Sequence, residues 1–184
     1  MALELIDEKL EGLKLFEPKV YSDNRGWFYE SWRKDDLTKH GINSNFIQDN
    51  HSLSKKNVIR GMHFQHSPPQ GKLIRVTNGS AQVVEVDIRS NSKTFGQWES
   101  FDLSAVNKRI LWVPPGFANG FLALEDDTEV QYKVTNYWNP EGESNIRFDD
   151  QEIGINWQTK NPITSDRDKT AMLLSEWEAK AFKF

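Results

Sequence analysis

Two histidines three residues apart, His63 and His66, and a lysine six residues further on, Lys72, lie in the stretch VIRGMHFQHSPPQGKLIRV at positions 58–76. A structural zinc site would need further Cys, His or carboxylate ligands at recognisable spacings. A phosphate loop would need a Gly-rich turn closing on Lys-Ser or Lys-Thr. Neither pattern is present. The chain has no cysteine, which removes thiolate nucleophiles, Cys-zinc sites and disulfides together and leaves any catalysis to His, Tyr, Lys or carboxylates. The residues that could carry it are His63, Lys72, Tyr132 and Asp168, together with the arginines Arg25 and Arg60. Each also has an ordinary explanation. A His near a strand end is commonly a hydrogen-bonded structural residue, an inward Tyr is commonly a core aromatic, and Asp168, three after Ser165, reads first as a variant capping box. Arg25, in the turn SDNRGWF, reads first as a solvated surface residue. Lys72 is the sharper signal. It shares a strand face with Ile74 and Val76, where an ammonium must snorkel to water or meet an anion.

These side chains need strands to position them. From Val20 to Trp138 the polarity alternates, with Gly, Asn, Asp and Pro punctuating it every eight to twelve residues, as in an all-β sandwich or barrel. KLIRVTNGSAQVVEVDI reads as a hairpin turning at Asn78-Gly79, the preferred pair for a two-residue type I′ turn. In EVQYKVT, Val130, Tyr132 and Val134 share one face, so Tyr132 points inward. NFIQDNHS sets Phe46, Gln48 and Asn50 on a common face. Two amides where a core strand would carry aliphatics suggest a pocket wall. Arg60 and His63 differ by an odd number and should face opposite ways, unless Gly61 makes a bulge. Helical signals are confined to Trp32–His40 and the tail DKTAMLLSEWEAKAF. The expected architecture is a β-barrel with one C-terminal helix.

The 184 residues fit one domain, 1–184, and seven Trp with eleven Phe supply a large core. Charged residues make up 27%, which suits a well-solvated exterior and no membrane span. The N-terminal MALELIDEKLEGLKLF lacks the apolar run and cleavage site of a signal peptide, so the cytoplasm is the expected compartment. A net charge of -4 makes no field for nucleic acid, and an anionic ligand would need a local cluster of Arg and Lys.

In wording, order and spacing, QDNHSLSKKNVIRGMHFQ, PQGKLIRV, VDIRSNSKTFGQW, LWVPPGFANGF and IGINW resemble the dTDP-4-dehydrorhamnose 3,5-epimerases, over roughly Phe16 to Leu174. The resemblance implies a cupin-type jelly-roll β-barrel with short peripheral helices, a homodimer, and no metal or redox cofactor. The reaction it implies is inversion of carbons 3 and 5 of a dTDP-4-keto-6-deoxyglucose. It implies roles as well: His63 in RGMH as the base, Asp168 in SDRD as its orienting partner, Lys72 in GKL facing the keto oxygen, and Tyr132 in QYK as the acid. Arg25, Glu30, Gln48, Asn50, Arg60, Glu143 and Arg167 fall where the family binds the nucleotide-sugar, and they supply the cationic cluster that the net charge lacks. The chemistry asks for these types independently. An imidazole can take a proton next to a ketone only if a fixed positive charge meets the developing enolate oxygen, and inversion needs an acid on the opposite face.

Two positions depart from the family pattern. GFANGF replaces GFAHGF, so Asn119 stands where relatives carry a His near the sugar, and a Tyr-Tyr pair is here Tyr137-Trp138. Asn donates and accepts hydrogen bonds but takes no proton. Three competing readings follow: a mono-epimerase acting at C3 or C5 alone on a related nucleotide 4-keto-deoxysugar, a metal cupin using His63 and His66, and a non-catalytic nucleotide-sugar binding module.

Overall fold

The computed structural model describes residues 2–178. In chain order it contains β1 (Leu3–Lys9), β2 (Leu13–Pro18), β3 (Tyr21–Asp23), β4 (Gly26–Phe28), α1 (Lys34–Lys39), β5 (Gln48–Ser54), β6 (Ile59–Gln65) and β7 (Lys72–Asn78). There follow β8 (Ser80–Asp87), β9 (Trp98–Ser104), β10 (Ile110–Val113), β11 (Phe117–Ala123), β12 (Thr128–Val134), β13 (Glu143–Asn145), α2 (Asp166–Lys169) and α3 (Leu174–Glu178).

Two antiparallel sheets make a jelly roll, one ordered β1-β2-β10-β7-β12-β5 and the other β13-β6-β11-β8-β9. From β5 onward the chain changes sheet at almost every connection. The Asn78-Gly79 turn is one of these crossings. The expected β7–β8 hairpin does not form, because β7 pairs with β10 and β12 while β8 pairs with β11 and β9. Asn-Gly still makes a sharp reversal, with Gly79 at φ +71 and Thr128 packed so close that a Cβ there would meet its Oγ1 at 2.6 Å. The turn residues set the reversal and not the pairing, and the second strand finds better partners across the barrel.

Alternation then divides the side chains into layers. Between the sheets, Leu13, Leu15, Ile74, Val76, Leu111, Val113 and Val130 meet Ala81, Val83, Phe101, Leu103, Phe117 and Phe121. Each Val, Leu, Ile or Phe among these contributes about 1.5–3 kcal/mol by leaving water. Outside the five-stranded sheet, Met62, Phe64, Val84 and Val86 are covered by Ile153, Leu174 and Trp177 of the C-terminal segment. Outside the six-stranded sheet, Leu37 of α1 packs with Phe16, Leu73 and Trp112. Phe46 joins this outer cluster, its ring edge-on to Trp112 at 5.8 Å. It therefore does not continue the wall begun by Gln48 and Asn50, because the strand starts only at Gln48.

The expected tail helix is broken within the described residues. α2 is capped by Ser165, which accepts from the Asp168 backbone N–H, and ends at Lys169. Met172 is then drawn into a parallel bridge with Ile146 before α3 begins. The last part of that reading, from Ala179 onward, lies outside the described residues. No helix among the described residues is long and apolar enough to cross a membrane.

Candidate active site

The inner faces of the strands change character along the barrel. β7 runs from Val76 and Ile74 to Lys72, and β8 from Ala81 and Val83 to Glu85, so one end of the interior is apolar and the other polar. At the polar end lies a cavity of about 300 Å³, within the usual size of small-molecule sites. The six-stranded sheet contributes Gln48 and Asn50 from β5, Lys72 from β7 and Tyr132 from β12. The other sheet contributes Arg60 and His63 from β6, Asn119 from β11 and Glu143 from β13, and Arg167 of α2 closes the rim.

Arg60 and His63 reach the same cavity because β6 bulges. Asn119 pairs with His63 and Phe121 with Arg60, so three steps on β6 oppose two on β11. Gly61, at φ +147, makes this possible, since a Cβ there would stand 2.5 Å from the Gly120 Cα. Met62 is turned to the outer cluster.

His63 Nε2 lies 2.7 Å from Asp168 Oδ1. Asp168 is buried, and burial pushes its carboxyl up. The hydrogen bonds from His63, the Ser165 hydroxyl and the Gly61 backbone outweigh that cost and hold it below the usual carboxylate range. An ionised carboxylate only accepts, so Nε2 is the donor of this pair, and in a neutral imidazole so held the lone pair lies on Nδ1. Lys72, 8% exposed, donates to the His63 carbonyl at 3.1 Å and to Asn119 Oδ1 at 3.4 Å. Burial draws its ammonium below the ordinary lysine range, opposed by the charges of Glu85 and Glu143. On β12, Tyr132 is pushed above the usual phenol range by burial and by Glu143, against the pull of Arg60.

The rim is knitted together. Trp138 Nε1 and Arg167 Nη2 both donate to Glu143 Oε2, at 3.2 and 2.8 Å. Glu143 is lowered even though its burial raises it, because these two bonds and the Arg167 charge prevail. Arg60 is held by Ser54 Oγ at 3.0 Å, and Gln48 donates to Asn50 at 2.9 Å.

Two residues expected at the site are not brought there by this chain. Arg25 sits in the exposed β3–β4 ribbon, paired with Asp23 at 2.6 Å, and Glu30 pairs with Arg33 at 3.5 Å. His66 is turned away from His63 and lies against Phe64 and Trp177, ring centroids 6.4 and 5.7 Å apart, so the two histidines do not converge as a metal pair would. Conversely, Ser52, Gln70, Ile74, Phe121 and Val130 also line the cavity. Glu85 lies beneath it, accepting from Asn119 Nδ2 at 2.5 Å. The alternation that singled out Lys72 also puts Glu85 inward, in AQVVEVDI.

Comparison with known proteins gives a consistent picture. The family model of dTDP-4-dehydrorhamnose 3,5-epimerase matches residues 7–176. The dTDP-4-dehydrorhamnose 3,5-epimerase of Escherichia coli K12 is 46% identical over 178 residues, covering 95% of this chain and 96% of that one. Among solved structures, the Legionella pneumophila dTDP-6-deoxy-D-glucose-3,5-epimerase in complex with dTDP-4-keto-L-rhamnose superposes with a TM-score of 0.91 at 42% identity, covering 94% of this chain and 93% of that one. ChmJ, a 3′-monoepimerase from Streptomyces bikiniensis in complex with dTDP-quinovose, superposes with a TM-score of 0.88 at 30% identity, covering 94% and 88%.

Proposed function

The chain belongs to the dTDP-4-dehydrorhamnose 3,5-epimerase family, and from that membership we propose that it inverts C3 and C5 of dTDP-4-dehydro-6-deoxy-D-glucose to give dTDP-4-dehydro-L-rhamnose. The observation that carries this reading is His63 on one sheet, paired at 2.7 Å with Asp168 of α2 and facing Lys72 and Tyr132 of the other sheet across one cavity.

His63 Nδ1 removes the proton next to the 4-keto group. The electron pair moves onto the keto oxygen, where the Lys72 ammonium offsets the developing charge. Tyr132, protonated at neutral pH, returns a proton from the opposite wall and inverts the centre. Repetition at the second carbon gives the double inversion. Between the two inversions His63 sheds its proton to solvent and Tyr132 regains one, which resets both groups. Arg60, Arg167, Gln48, Asn50 and Glu143 hold the nucleotide-sugar, with the two guanidiniums on its diphosphate.

We infer in addition a homodimer. Tyr21, Trp27 and Phe28 of the β3–β4 ribbon are 55%, 60% and 66% exposed. A lone two-stranded ribbon is marginal in water, and such a contiguous aromatic patch calls for cover. A second copy covering the ribbon would let Arg25 and Glu30 complete the partner's cavity. The expected compartment for such a soluble nucleotide-sugar enzyme is the cytoplasm.

The alternative is a mono-epimerase, favoured by the engagement of both ends of the Asn119 amide, with Lys72 and Glu85, where a proton-transferring group could stand. Counting solvent protons decides. In D₂O, dTDP-4-dehydro-6-deoxy-D-glucose should gain one deuteron at C3 and one at C5, read by mass spectrometry and assigned by NMR. Prolonged incubation that labels only one carbon rejects the double inversion in favour of the alternative.

A further inference from the structure

Glu85 shares the inward face of β8 with Ala81 and Val83, which join the apolar core. Its register partner on β11 is Asn119, and the partner of Asn119 on β6 is His63, so the three form one row across the five-stranded sheet. The Glu85 side chain is 0% exposed. Its Oε1 accepts from Asn119, and its Oε2 has no hydrogen-bond partner. A carboxyl so placed costs free energy that an aliphatic side chain would not, and nothing in the reaction derived above uses it.

The amide beside it explains its presence. A primary amide turned through 180° exchanges its two ends. Lysine only donates, so the end useful to Lys72 is Oδ1, and Oδ1 faces Lys72 only while Nδ2 has an acceptor on its other side. Glu85 Oε1 is that acceptor. We propose that Glu85 is a positioning residue for Lys72: it fixes the Asn119 amide so that Oδ1 receives the Lys72 ammonium, which is thereby held at the floor of the cavity. This deepens the epimerase reading and rests on it.

Burial drives the Glu85 carboxyl well above the ordinary range, against the opposing effects of Lys72 and the Asn119 amide, and the proposed role asks only for the accepting oxygen, Oε1. Glutamine reproduces that oxygen and leucine removes it, which gives two variants of similar size with opposite expectations. Glu85→Gln should keep kcat within about threefold of wild type. Glu85→Leu should lower kcat about 10–100-fold, with KM changed by less than about threefold, the effect of leaving one buried polar group unsatisfied. Because Glu85 acts through Asn119, the double variant Glu85→Leu/Asn119→Ala should be no slower than the slower single variant.

A second readout needs no substrate. The Lys72 Cε and Nζ resonances, assigned by their loss in Lys72→Met, should move in Glu85→Leu and stay in place in Glu85→Gln. Circular dichroism checks folding, and Glu85→Met replaces the leucine variant if that one does not fold. A folded Glu85→Leu or Glu85→Met protein with wild-type kcat and an unmoved Lys72 signal overturns the proposal, as does a loss that multiplies fully with that of Asn119→Ala. Should the wild-type protein itself leave the sugar nucleotide unchanged, the epimerase reading falls, and the Lys72 resonances alone decide the role of Glu85.

Discussion

Because Asp168 holds the Nε2 hydrogen of His63, base and acid are assigned to different side chains on different walls, and their loss should have different consequences. His63→Ala should reduce incorporation of solvent deuterium by about 10²–10⁴-fold, the usual contribution of a positioned base. Tyr132→Phe should abolish net inversion yet leave exchange measurable, since His63 can still take a proton and return it on its own face. Mass spectrometry of recovered substrate separates the two. Equal loss of exchange in both variants would contradict the division of roles. Lys72 and Tyr132 were legible in the sequence because strand alternation turns them inward. Glu85 obeys the same alternation, yet a single carboxylate on a strand carries meaning only once its neighbour across the sheet is known. Arg25 stood out by its charge alone, in a turn that reads first as solvated surface, and only resemblance put Glu30 at a site.

At the scale of elements, the bulge in β6 is what lets Arg60 and His63 share a cavity. Gly61→Ala would bring a methyl group against the Gly120 Cα at a backbone conformation that L side chains rarely adopt. We expect a loss of about 2–4 kcal/mol from overpacking and strain together, with activity falling by more than the unfolded fraction explains because His63 is re-aimed. Denaturant titration alongside kcat measures both, and a variant with unchanged stability and rate would show that the bulge is dispensable. The odd spacing of Arg60 and His63 around a glycine was enough to raise the bulge from sequence. The pairing of β7 and β8 was not available in the same way. Asn78-Gly79 encodes a reversal, whereas the choice between pairing with the preceding strand and crossing to the opposite sheet is made by distant partners such as β10 and β11. The tail helix begins only at α3 for a similar reason, since a bridge between Met172 and Ile146 interrupts the segment before it.

For the molecule as a whole, the aromatic ribbon predicts assembly. Replacing Trp27 and Phe28 together with serine should shift the protein toward monomer in analytical ultracentrifugation and raise KM for the sugar nucleotide, because Arg25 and Glu30 would no longer reach a partner's cavity. A double variant that stays dimeric with an unchanged KM would remove the ribbon from the interface. One further consequence follows from the way the chain changes sheet at nearly every turn. β2 pairs with β10, joining Phe16 to Ile110, and β5 pairs with β12, joining Asn50 to Tyr132. The cavity thus draws its walls from strands that meet only after long stretches of chain have been closed into loops, which makes folding slow and cooperative. A nascent chain that has not yet emerged as far as β12 has His63 and Lys72 but neither Tyr132 nor Asp168, so inversion has to wait until nearly the whole chain has been made.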